Sequence, residues 1–126
     1  MNMDWSQWPN FSEEEFRCKG DGSCEMDEHF LTVLQDLRTQ CGFPLYINSG
    51  YRSPQYNESV GGAEDSQHIH GRAADVGISY EQAVRLLTLA FADERVTGIG
   101  IQQKGDPKKR FVHLDTRPGP RVVWTY

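Results

Sequence analysis

The segment Ser66-Gln-His-Ile-His-Gly-Arg-Ala-Ala-Asp75 carries two kinds of metal donor, His68 and Asp75, with a glycine between them where the chain must turn. The apolar run that begins at Ala73 predicts a buried strand to Ile78, so Asp75 should sit on a strand and His68 on the loop before it. Imidazole nitrogen and carboxylate oxygen are both ordinary zinc ligands. A turn at Gly71 that folds the strand back would bring both onto one ion.

A third donor has to come from elsewhere. Phe111-Val-His-Leu-Asp115 offers His113. Alternate residues of a strand share a face, so Phe111, His113 and Asp115 should lie together while Val112 and Leu114 point into a core. Two histidines, one carboxylate and an open fourth position is the donor set of a catalytic zinc rather than a structural one. Taken singly, each histidine reads as a hydrogen-bonded loop or sheet residue. Taken together, metal binding and that plainer reading stand level on spacing alone.

Outward from these segments the chain alternates helices and strands. Ser12-Glu-Glu-Glu15 has the capping-box pattern and predicts a short helix. Asp27 is placed to cap a longer one, whose Phe30, Leu34, Leu37 and Cys41 recur on one helical face before Gly42 and Pro44 end it. Leu45-Tyr-Ile47 predicts a strand, and Pro54 opens about one helical turn. Ser79 and Gln82 form a second capping-box pattern before a helix bearing Ala83, Leu86, Leu87 and Ala90 on one face. Strands are expected over 96–101, 111–115 and 122–126. The order predicts an α+β fold, with helices packed on one face of a mostly antiparallel sheet. The 126 residues fit a single domain, 1–126, on which an N-terminal segment, 1–25, packs.

Composition excludes several classes. The net charge is -5, and the one basic run, Lys108-Lys-Arg110, reads as a solvated loop tip, so a nucleic-acid partner is not expected. No stretch reaches the roughly 18 apolar residues that span a bilayer. The polar start of the chain lacks the apolar run of a secretory signal, which predicts synthesis in the cytoplasm and another route to any target outside it. Cys18, Cys24 and Cys41 are an odd set. The loop between Cys18 and Cys24 could close as a disulfide or stay reduced, and its spacing is a weak match to a second metal site.

The pattern S-x-H-x-x-G-x-A-x-D over 66–75, followed by V-H-x-D over 112–115, resembles the zinc D-Ala-D-Ala carboxypeptidase superfamily. That group also includes L-alanyl-D-glutamate endolysins, murein endopeptidases and the Hedgehog signalling domain. Ser49-Gly-Tyr-Arg-Ser53, Asn57 and Val60-Gly-Gly-Ala63 extend the resemblance, which runs from about Met26 to Trp124. The compact form is similar to versions from phages and to murein endopeptidases. The resemblance implies a Zn2+ held by His68, Asp75 and His113, with Arg52 binding a substrate oxygen or carboxylate. It implies a peptidase acting on peptide bonds of bacterial peptidoglycan, reached after release from the cell that makes it; a monomer is expected. Ser66 matches the serine two before the first ligand and is expected to bond within the site or cap the turn, not to act as a nucleophile. His70 is expected to flank the site.

The departure concerns the general base. Many members of that group carry Glu or Asp three residues before the third ligand, where this chain has Arg110, and the Hedgehog type carries a second histidine two before it, where this chain has Phe111. Asp115 is the expected substitute, with an equal alternative that it orients a ligand histidine. Asp106 is a further base candidate, with a turn role as its plainer reading. Two non-catalytic functions remain beside the peptidase: a metal-containing binding module, and a structural component of a phage particle.

Overall fold

The computed structural model describes residues 3–126. Four helices and five strands form one α+β unit. The helices are α1 (Glu13–Phe16), α2 (Glu28–Cys41), α3 (Pro54–Ser59) and α4 (Tyr80–Ala92). The strands are β1 (Tyr46–Ser49), β2 (Ala73–Gly77), β3 (Gly98–Gln102), β4 (Phe111–Asp115) and β5 (Val122–Thr125). They form a single sheet in the order β1-β2-β4-β3-β5. Every neighbouring pair is antiparallel except β3 and β5.

The helix signals act largely as the sequence predicts. The Asp27 carboxylate accepts from the Phe30 N–H at 3.0 Å and starts α2. Gly42 ends it with a left-handed φ of 78°. At α1 the Glu15 carboxylate accepts from the Ser12 N–H at 2.7 Å. Ser79 differs: it occupies the N-cap position of α4 but its side chain makes no capping bond. Tyr80, next in the chain, has a φ of 52°, which turns the entry to α4 out of capping geometry.

The core lies on one face of the sheet. Leu31, Leu34 and Leu37 of α2 and Ala83, Leu86 and Ala90 of α4 are buried with Ala74, Val76, Ile99, Val112 and Leu114 from the strands. Each fully buried Leu contributes roughly 1.5–3 kcal/mol of transfer free energy. Trp8, Phe11 and Phe16 join the same cluster, so the N-terminal segment is part of this core. The Phe16 carbonyl also accepts from the Tyr51 N–H at 2.8 Å, which docks α1 beside the end of β1.

The opposite face carries the polar residues, and the register aligns them. Ser49 pairs with Asp75, Asp75 with His113, His113 with Gly100, and Gly100 with Trp124. One row therefore crosses all five strands. A shift in register between Ile47 and Ser49 brings Ser49 into that row. In β3 the alternation Gly98-Ile99-Gly100-Ile101 puts both glycines on the polar face. A Cβ on Gly98 would run into the Asp115 carboxylate, and one on Gly100 would meet the Trp124 ring. The bare face of β3 is thus the space that Asp115 and Trp124 occupy.

Candidate metal centre

His68 lies in the loop between α3 and β2, and its ring is buried. Its Nδ1 bonds the Gly50 carbonyl at 2.7 Å, which assigns the proton to Nδ1 and leaves Nε2 as a lone-pair donor. The Ser66 hydroxyl accepts from the His68 N–H at 3.2 Å and fixes the turn. Gly71 closes the loop at a φ of 70°, and a Cβ there would overlap the Glu25 carbonyl oxygen. Both constraints require glycine. The Asp27 N–H donates to the Gly71 carbonyl at 2.8 Å, so the loop is tied to the start of α2.

His113 is held the other way round. Its Nε2 bonds the Asp115 carboxylate at 2.7 Å, and its Nδ1 faces Asp75 at 3.0 Å. Asp75 Oδ1 is also 3.3 Å from His68 Nε2. Among the described residues, His68, Asp75 and His113 are the group whose donor atoms all lie within 4.8 Å of one another. Around a tetrahedral divalent ion with ligand bonds near 2.0–2.1 Å, neighbouring donors sit about 3.3 Å apart. The two histidine–carboxylate separations fall at that spacing. Each ring also offers one lone pair inward and bonds an acceptor outward. The donor set fits a metal ion.

Charge follows the same arrangement. Burial opposes ionisation of Asp75, but hydrogen bonds from His113 and His68 outweigh it and hold the carboxyl well below the usual carboxylate range. Burial likewise opposes protonation of His113, and its bonds to Asp115 and Asp75 overcome that and push its pKa up. Asp115 is fully buried; against that burial, His113 and Arg117 bring its pKa down to about 2.

Arg52 reaches the centre from the chain after β1. Its guanidinium lies 3.4 Å from Asp75, 3.2 Å from the Ser49 hydroxyl and 3.2 Å from Asn57 Oδ1. Asn57 is buried, and its side-chain Nδ2–H donates to the Ala63 carbonyl at 2.8 Å. One side chain thus ties the arginine to the Gly61-Gly62-Ala63 loop. Arg52, Ser66, His68, Asp75 and His113 all border one cleft of about 480 Å³. That volume is in the range of small-ligand sites.

Asp115 does not border the cleft. It accepts from His113, from Arg117 Nε at 3.0 Å, from Arg117 Nη2 at 2.7 Å and from the Arg117 backbone N–H at 3.1 Å. With every lone pair engaged and no exposure, it has no room to take a proton from water. Of the two roles open in the sequence, the geometry fits the orienting one. Asp106 caps the short 3-10 turn Pro107–Lys109 through the Lys108 N–H and lies outside the cleft. Arg110 bonds the Gly105 carbonyl at 2.8 Å and covers the Tyr80 ring, also away from the cleft. His70 flanks the site, with Nε2 2.8 Å from Asp65. Cys18, Cys24 and Cys41 are all free thiols.

Sequence reasoning missed the far wall. Trp124 packs on the His113 ring at 5.0 Å, Arg117 lies 5.0 Å over Trp124, and Tyr126 stacks on Phe111 at 4.9 Å. The signal was present as alternation: Arg117 continues the polar face two residues after Asp115, and Trp124 and Tyr126 share one face of β5 and its extension.

A stretch of 45 residues is 47% identical to a protein named zinc D-Ala-D-Ala carboxypeptidase from Streptomyces albus G. That stretch covers 35% of this chain and 18% of the relative, so the likeness spans less than a fifth of that protein's length. The Peptidase M15 family model matches residues 9–115, which is most of the chain, and the chain belongs to that family.

Proposed function

We propose that the protein is a zinc-dependent peptidase acting on the peptide part of bacterial peptidoglycan, with His68 Nε2, Asp75 and His113 Nδ1 as the zinc ligands. The observation that carries this reading is the convergence of three donors within 4.8 Å of one another, both histidines at ligand spacing from Asp75, at the edge of an open cleft. Family membership and the name of the Streptomyces relative support the metal and the substrate class. Zinc at such a site acts as a Lewis acid on a carbonyl oxygen and lowers the pKa of water.

The protein's own residues supply orientation and charge. Gly50 and Asp115 fix the tautomers of the two ligand histidines. Arg52 presents a guanidinium beside the ligands, suited to a peptide carboxylate or to the oxygen that gains charge as the bond is attacked. The scissile bond lies in the stem peptide or the cross-bridge, and a phage endolysin is one setting for such an enzyme. Arg110, where relatives have an acid, favours a second reading as a metal-containing binding module.

Zinc content and cleavage of purified sacculi, read by mass spectrometry of the products, test the proposal on wild type and His113→Ala. One zinc per chain and a new peptide cut, both lost in the variant, are expected. Zinc without any cut favours the binding module. A folded wild type that takes no zinc sinks the metal reading.

A further inference from the structure

The cleft has an aromatic wall that the metal donors do not explain. Phe111, Trp124 and Tyr126 line it together with the Gly61-Gly62-Ala63 loop. Tyr126 lies beyond the family-matched residues 9–115. Its N–H donates to the Ile101 carbonyl at 3.4 Å, which carries the β3–β5 ladder one residue past β5. Its ring rests on Phe111 at 4.9 Å and meets Trp124 edge-on at 6.4 Å. The ring is therefore fixed by backbone and stacking while half of the residue stays exposed to the cleft.

We propose that the Tyr126 hydroxyl is a catalytic hydrogen-bond donor, giving its proton's bond to the scissile carbonyl oxygen as that oxygen becomes an oxyanion. This rests on the peptidase reading above. The neighbouring Trp124 indole N–H is a donor only and cannot accept from the phenol, so the Tyr126 O–H is left for an acceptor in the cleft. Burial, and after it the negative charge of Asp75, pushes the phenol up, with Trp124 and Arg52 acting the other way. The hydroxyl consequently keeps its proton at neutral pH and serves as a donor rather than a base. It borders the same cleft as Arg52, so the oxyanion gains a neutral donor as well as a cation.

Tyr126→Phe removes the hydroxyl and keeps the ring that stacks on Phe111, so the fold should be preserved. The zinc-loaded wild type and variant are compared in two ways. On muropeptides from sacculi, kcat falls about 10- to 100-fold with KM nearly unchanged, the scale of one bond to a charged oxygen. By calorimetry, a phosphinate isostere of D-alanyl-D-alanine, which presents a tetrahedral anion, binds the variant more weakly by a similar factor. Thermal midpoint and zinc content should match wild type. Equal phosphinate affinity in the two proteins, or no binding to either, overturns the assignment. A change in KM alone also overturns it, because a ground-state contact would then suffice. Phosphinate binding to a wild type that cuts no sacculi refutes the peptidase reading separately, and the affinity ratio still judges Tyr126.

Discussion

Asp115→Asn separates the two roles that the sequence left open for this residue. The change keeps the side-chain shape but replaces one carboxylate oxygen with an NH2 group and removes the charge. In the native protein the two oxygens accept from four N–H groups, one on His113 and three on Arg117. An amide oxygen can serve His113 or Arg117 but not both, and the NH2 group then faces another donor. A hydrogen bond to a charged group is worth about 1.5–3 kcal/mol, and a donor left buried costs a comparable amount. The Arg117 side chain is 26% exposed and can turn its head to water, which discounts its share. The net loss is about 2–3 kcal/mol. For a domain of 126 residues this lowers the melting point by roughly 6–15 °C. The His113 ring also loses the acceptor that directs Nδ1 inward, so zinc affinity should fall about 10- to 100-fold. Melting of the metal-free protein gives the first number, and competition with a chromophoric chelator gives the second. The argument fails if Asp115→Asn melts like wild type, binds zinc equally and loses only kcat by about 100-fold or more. That pattern is the signature of a general base.

Three other outcomes follow from the same geometry. Gly71→Ala combines a left-handed φ with overlap on the Glu25 carbonyl oxygen, so it should cost about 2–5 kcal/mol in urea unfolding and weaken zinc binding through the displaced His68 loop. Metal-free protein should be most stable between about pH 4 and 6.5 in a melting series. The lowered pKa of Asp115 adds stability above its ordinary 3.8 that is lost as pH falls toward 2, and the raised pKa of His113 adds stability below 6.5 that is lost as pH rises through its folded value. Saturating zinc needs His113 Nδ1 unprotonated and should abolish the alkaline fall; a flat profile without metal contradicts the His113 pairings. Asp65→Asn should leave zinc content and melting unchanged and reduce kcat about 100-fold or more if Asp65 takes the proton, measured on sacculi; unchanged kcat removes it.

The elements were legible where local signals agree with packing. The α2 face, its Asp27 cap and its Gly42 stop all point to one helix, and β4 alternates cleanly because Val112 and Leu114 are buried while Phe111 and His113 face the cleft. The Ser79 cap failed because capping depends on the φ of the following residue, which a sequence pattern does not specify. The three inward donors were legible as a set of residue types. Which nitrogen of each histidine faces inward was not, because that depends on Gly50 and Asp115 as hydrogen-bond acceptors. The glycine face of β3 was visible as an alternation but had no meaning until the register set Gly98 against Asp115 and Gly100 against Trp124. Strand pairing across a crossover is not encoded locally, so the aromatic wall stayed hidden.

Three aspartates near the cleft show how environment assigns chemistry that residue type leaves open. Asp75 sits between two histidines and a guanidinium, which keeps it ionised and aimed at the two rings. Asp115 is closed off on the far side of His113, where its charge sets a tautomer and holds Arg117 under the aromatic wall. Asp65 alone among the cleft carboxylates stands apart from the ligand set, exposed and paired with His70. Arg110 turns away to Gly105 and Tyr80, so it contributes neither charge nor base to the cleft. Under the proposed peptidase reading, Asp65 is the cleft-lining carboxylate outside the proposed ligand set, and its contact with His70 makes it the position that Asp65→Asn tests as base.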